Sequence, residues 1–125
     1  MTGILLLAHG SREGDTEATM QQITAYVKES LQNDMVEEAY LQFRDRNLEK
    51  GLLSLVDRGA DTIVVIPYFL FEGVHIKEDI PAELDIFCQS HPGITVTFGR
   101  TLGADRRLAE TVADRVREQL TAAKQ

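Results

Sequence analysis

Gly3-Ile4-Leu5-Leu6-Leu7-Ala8-His9-Gly10 decides the fold. Six residues pass without a polar or charged side chain, and the run stops on a histidine and a glycine. An apolar run with no alternation reads as a strand covered on both faces, which points to a parallel sheet. Ile63-Val64-Val65-Ile66-Pro67-Tyr68-Phe69-Leu70-Phe71 reads the same way, and His75 follows it past Glu72-Gly73-Val74. Open α/β sheets bind ligands outside the carboxyl ends of their strands. On this reading His9 and His75 stand at one edge, where two imidazoles can share a metal ion or one can act as a base.

Outward from these runs, strand and helix patterns alternate. Strands are expected at 3–8, 36–43, 62–67 and 94–98, and helices at 15–32, 46–58, 75–90 and 105–121. The first helix shows Met20, Ile23, Val27 and Leu31 on one face, and the last shows Leu108, Val112, Val116 and Leu120 as one stripe. Gly59 is a plausible stop for the second helix. Pro81 is tolerated only near a helix's first turn, so the regular third helix is expected to start near 79–81 with an irregular segment before it. Alternation of this kind implies parallel strands joined by right-handed crossovers. The expected fold is a three-layer α/β/α unit with a four-stranded parallel sheet, one domain over 1–125. The large apolar groups of Tyr68–Phe71 exceed what a lone loop should expose. They suit a pocket wall, a dimer surface, or both.

Composition narrows the partners. The chain has 125 residues, 43% hydrophobic and 26% charged, which suits one globular core. A net charge of −7 argues against nucleic acid or an anionic membrane as a partner. A lone cysteine, Cys88, excludes an internal disulfide and fits a reducing cytoplasm, and it reads as a buried structural thiol. No signal peptide and no run long enough to span a membrane are apparent.

Several residues near the carboxyl edge can do chemistry. Gly10 permits a sharp turn and close approach to a ligand, while Ser11 and Arg12 can bind an anion at the next helix's start. Glu72 and Glu78 can complete a metal site, although Glu13, Asp15, Glu78 and Asp79 also suit helix N-termini. Gln42 ends the second strand, either as an edge residue or as a weak neutral ligand. Arg12, Arg44, Arg46 and Arg100 can ring an acidic ligand. His91, before Pro92, is expected to be a solvated turn residue at the opposite edge. No P-loop, GxGxxG, nucleophile elbow or CxxC occurs.

The motifs LLLAHGSR, AYLQF followed by NLEKGL, IVVIPYFLF, GVHIKEDIP and GITVTFGRTLGADRRLAE, in that order, resemble the small CbiX-type sirohydrochlorin chelatases over nearly the whole chain. The resemblance implies a class II, ATP-independent chelatase. Such an enzyme inserts cobalt or iron, with nickel a further option, into a tetrapyrrole on the way to cobalamin or siroheme. The metal is then a substrate and no cofactor is retained. The resemblance also implies a half-size form working as a homodimer, with His9 and His75 as metal ligands. Tyr68, Phe69, Phe71 and Val74 would meet the macrocycle's apolar face, and Ser11, Arg12, Gln42 and Arg44 would complete substrate binding. Many relatives carry glutamate where this chain has Gln42, and proline near Arg46. The residues alone leave open a metal or tetrapyrrole carrier without turnover, and a structural dimerisation domain. A histidine phosphatase is disfavoured, because Ala8 stands where such enzymes place an arginine.

Overall fold

The structure, a computed structural model, describes residues 1–12, 14–42 and 45–123, apart from the side chains of His75, Ile76 and Ala123. Four strands, β1 (Thr2–Ala8), β2 (Val36–Tyr40), β3 (Thr62–Pro67) and β4 (Thr95–Phe98), form one parallel sheet in the order β2-β1-β3-β4. Between and after them lie α1 (Asp15–Leu31), α2 (Leu48–Asp57), α3 (Ile80–Ser90) and α4 (Arg106–Ala123). β1 therefore has a strand on each side. Its Leu5 and Leu7 enter a core built with Leu48, Leu52 and Leu55 of α2 and Ile80, Leu84 and Phe87 of α3. Its Leu6 and Ala8 enter a second core with Met20 of α1 and with Val36 and Tyr40 of β2. The uninterrupted apolar run of β1 is explained by burial on both faces.

β3 differs from that expectation. Ile63, Val65 and Pro67 are buried, while Thr62, Val64 and Ile66, which alternate with them, are only half-buried. One face of β3 carries the α2/α3 core, and on the other Ile66 packs against the α1-side core. β4 repeats the pattern: Val96 and Phe98 pack towards the α2/α3 core, and Thr95 and Thr97 are exposed.

Local chemistry explains the element boundaries. β2 ends at Tyr40 rather than 43, because the Tyr40 N–H donates to the returning Arg46 carbonyl at 2.9 Å. Phe43 and Arg44, assigned to and just past that strand, lie outside the described residues, as does Glu13. α2 begins at Leu48 rather than 46, because Asn47 caps it: its side-chain oxygen accepts the Lys50 N–H at 2.9 Å. Gly59 does end α2, at φ 104°. The third helix starts as the proline demands. A π-helical segment, His75–Asp79, leads into α3, and Pro81 occupies the first turn. Within β2, Glu37 accepts from the Ser54 hydroxyl at 2.7 Å and ion-pairs with both Arg58 (2.7 Å) and Arg46. Cys88 is half-buried rather than buried. Among the described residues no helix is long and apolar enough to cross a membrane.

Asn47→Ala should cost about 1 kcal/mol, the usual loss for an asparagine cap, read as a lower urea midpoint at unchanged slope.

Candidate functional site

His9 is the first residue past β1, and three backbone hydrogen bonds fix the chain there. Tyr68 N–H donates to Leu7 O at 2.7 Å, Leu41 N–H to Ala8 O at 2.9 Å, and Gln42 N–H to His9 O at 2.9 Å. The sheet's bonding thus continues past its last strand residues on both sides of β1. Gly10 then turns the chain at φ 84°. A Cβ at that position would stand 2.1 Å from the Gln42 carbonyl oxygen, so both the backbone angle and the space exclude a side chain.

The exposed His9 ring meets Phe69 edge to face, with centroids 4.9 Å apart and planes at 82°. Phe69 packs on the α2/α3 core and Tyr68 on the α1 core, so this wall is anchored from both layers. Against it opens a cleft of about 480 Å³, lined by His9, Leu41, Tyr68 and the run Phe69–Gly73. His9 and Tyr68 also border a second depression of about 450 Å³ on the α1 side, with Gly10, Asp15 and Thr16. His9 stands between the two. An imidazole beside an apolar wall can hold a cation or take a proton next to a flat apolar guest.

The structure brings His9, Tyr68, Phe69 and Phe71 to one cleft, with Glu72 beside them. Val74 is exposed just past it, and His75 opens the π-helical segment that follows; its side chain lies outside the described residues. Ser11 is half-buried with its hydroxyl against that of Thr16, and Arg12 is exposed. Asp15 and Glu17 already occupy the first turn of α1, where the helix dipole favours negative charge. Gln42 is exposed, and its backbone is what holds His9. Arg44 lies outside the described residues. Among those residues no three His, Cys, Asp or Glu side chains gather as a metal cluster.

Two expectations need correction. Arg46 does not ring the site: its Nε donates to the Glu38 carbonyl at 2.6 Å and its terminal nitrogen pairs with Glu37. Burial, and next the charge of Arg58, draw its pKa below the ordinary guanidinium value. His91 is not a solvated turn residue. It is half-buried, stacks on Phe87 at 4.2 Å, and its Nδ1–H donates to the Phe87 carbonyl at 3.0 Å, closing the end of α3. The Leu41 contribution to the cleft was missed from sequence; its place directly after β2, at the carboxyl edge beside His9, was the available signal.

The CbiX family profile matches residues 3–119. The chain belongs to the CbiX family. It is 31% identical to the sirohydrochlorin cobaltochelatase of Methanopyrus kandleri, covering 96% of this chain and 98% of that one. It is 30% identical to the sirohydrochlorin cobaltochelatase of Sulfurisphaera tokodaii, over 96% and 95%. Among solved structures, the Bacillus subtilis sirohydrochlorin chelatase SirB in complex with cobalt superposes with a TM-score of 0.85 at 26% identity. That match spans 94% of this chain but 50% of SirB, so this CbiX chain corresponds to half of the longer protein.

Gly10→Ala should destabilise this CbiX protein by more than about 1 kcal/mol, since alanine is strained at positive φ, and should displace His9. Urea unfolding and cobalt titration by calorimetry are the checks, with both stability and affinity reduced.

Proposed function

We propose that this protein inserts a divalent metal, cobalt or iron, into sirohydrochlorin or a related tetrapyrrole without ATP. Such insertion is a step towards cobalamin or siroheme. The observation that carries this reading is His9 on the aromatic wall of an apolar cleft, at the carboxyl edge of the sheet, in a CbiX-family chain. The cobaltochelatases of Methanopyrus kandleri and Sulfurisphaera tokodaii support the substrate class.

Insertion exchanges two pyrrole protons for one dication. Neutral imidazole binds first-row dications well, so His9 and His75 hold the incoming metal, with water or Glu72 in the remaining positions. As the metal passes to the ring nitrogens, an imidazole nitrogen is released and takes a pyrrole proton. The second proton goes to the other imidazole or to water. Tyr68, Phe69, Phe71 and Val74 support the macrocycle's apolar face. Ser11, Arg12 and Arg44 bind its peripheral carboxylates, and Gln42 faces the metal's path. The metal is a substrate throughout. Two half-size copies pair as a homodimer to supply two lobes, and the single Cys88 suits a reducing cytoplasm.

Purified protein, sirohydrochlorin and cobalt, iron or nickel, one at a time, test the activity by the change in the tetrapyrrole's absorbance. His9→Ala and His75→Ala should each cut insertion at least tenfold and weaken metal binding. His91→Ala should lower stability through lost stacking on Phe87 while leaving insertion intact. Equal activity in all three variants would exclude the histidine pair.

Gln42→Glu provides a separate test. A glutamine carbonyl binds a cation weakly and accepts no proton near neutral pH, whereas a carboxylate favours the dication. The substitution should tighten cobalt binding several-fold by calorimetry. Unchanged affinity would remove residue 42 from the site.

A further inference from the structure

A net charge of −7 conceals one basic corner. Residues 99–108, GRTLGADRRL, carry Arg100, Arg106 and Arg107 against a single carboxylate, Asp105. That carboxylate is taken up locally. Asp105 accepts the Arg107 N–H at 2.8 Å and pairs with the Arg107 guanidinium at 2.8 Å. Hydrogen bonds from Arg107 first, and then the charges of Arg107 and Arg100, hold its pKa well below the ordinary carboxylate range. The charges of Arg100 and Arg106 are left over, and both residues are exposed. Arg106 has no hydrogen bond or ion pair among the described residues.

The chain path brings this corner to the candidate site. Gly99 N–H donates to Val65 O at 2.8 Å, and Leu102 N–H donates to Phe69 O at 2.9 Å. Arg100 lies between these tethers, so its backbone is held along the extension of β3 that bears the aromatic wall. α4 then starts beside Leu70 and Phe71, which border a second cleft of about 580 Å³ together with Arg106, Leu108 and Val112. Leu70 and Phe71 also line the His9 cleft. The two hollows are therefore neighbours, with Phe71, 82% exposed, standing between them. Their charges differ. Glu72 borders the His9 cleft, whereas the second cleft offers Arg106 and an Asp105 already paired with Arg107.

We infer that the second cleft is a subsite for carboxylate arms of the tetrapyrrole, held by Arg106 and Arg100 while the ring lies on the aromatic wall beside His9. This rests on the chelatase reading above and adds a binding surface to it. Size is one argument. A cleft of about 480 Å³ matches a drug-sized ligand; a tetrapyrrole with its acid side chains is larger, so its rim extends beyond the His9 cleft. Charge order is the other. Past Phe71 the rim meets apolar surface first and guanidinium next, and the macrocycle presents an apolar edge and then its anionic arms. Guanidinium forks hold carboxylates through paired N–H···O bonds. The opposite side supplies less than its sequence suggests, because Arg46 is engaged by Glu37 and the Glu38 carbonyl. The arginines lie across Phe71 from His9, so they act on tetrapyrrole binding and not on the metal.

Fluorescence titration with metal-free sirohydrochlorin reads this subsite without turnover. Arg106→Glu and Arg100→Glu should each weaken binding about tenfold, the size expected for a lost charge-assisted hydrogen bond. In the insertion assay the KM for sirohydrochlorin should rise by the same factor, with kcat and the KM for cobalt unchanged. Arg106→Lys should recover only part of the loss. The methyl ester of sirohydrochlorin should bind the unaltered protein and Arg106→Glu alike. Arg115→Glu and Arg117→Glu reverse charges farther along α4 that already pair with Glu118 and Asp114, and should leave binding as it is. Undiminished sirohydrochlorin affinity in both Arg100→Glu and Arg106→Glu would overturn the subsite and leave the chelatase reading standing. An equal loss in Arg115→Glu would overturn it too, since overall charge would then account for the effect. An unaltered protein that binds cobalt but no sirohydrochlorin would overturn the chelatase reading and the subsite together.

Discussion

The backbone hydrogen bonds that continue the sheet beyond its last strand residues hold the candidate site in place. Leu7, Ala8 and His9 give their carbonyls to Tyr68, Leu41 and Gln42 in turn, so the end of β1 is clasped from both sides. Everything at the carboxyl edge inherits its position from that clasp. Phe69 can meet His9 edge to face because Tyr68 is tied to β1 and Phe69's own carbonyl is tied to Leu102. The close passage of Gln42 over Gly10 follows from the same bonds. A histidine on a free loop would lose side-chain and backbone entropy on binding a cation; here the backbone portion has been settled by folding.

Much of this was legible because the sheet is parallel and its central strand is buried on both faces. The run Ile4–Ala8 could be read as a strand without knowing its neighbours, and β3 could be bounded at 62–67 from its β-branched residues. Pro81 disclosed the interrupted start of α3, since a ring without an N–H fits only an early turn. Asn47, by contrast, looks like any polar loop residue until its side chain is seen on Lys50. His91 followed the same logic in reverse. Its neighbour Pro92 marked a turn correctly, but stacking on Phe87 depends on which face of α3 meets the core, and the apolar positions of α3 do not announce that by themselves.

At the site, the aromatic wall and His9 were readable from their place after two apolar runs. The fate of the arginines was not. Arg46 and Arg44 stand two residues apart in sequence, and nothing in their order says that Glu37 and the Glu38 carbonyl take up Arg46. The stripe on α4 was visible as a periodicity of four, but a periodicity states only that a helix has an apolar side. It does not state which surface receives it, and the tether of Gly99 and Leu102 to β3 and its extension, on which that depends, is made by backbone groups common to all residues.

Residue 42 separates two duties that usually travel together. Its N–H is part of the clasp on β1, and every residue except proline supplies it, while its carbonyl lies against Gly10. Its side chain is exposed and takes no part in that structural duty. Mutational drift at this position can therefore pass between glutamine and glutamate without a toll on folding, while any side chain at Gly10 across from it is strained and crowded. Evolution is left with one constrained and one adjustable position, face to face where the chain leaves β1, so that the surface beside His9 can change while the scaffold stays the same.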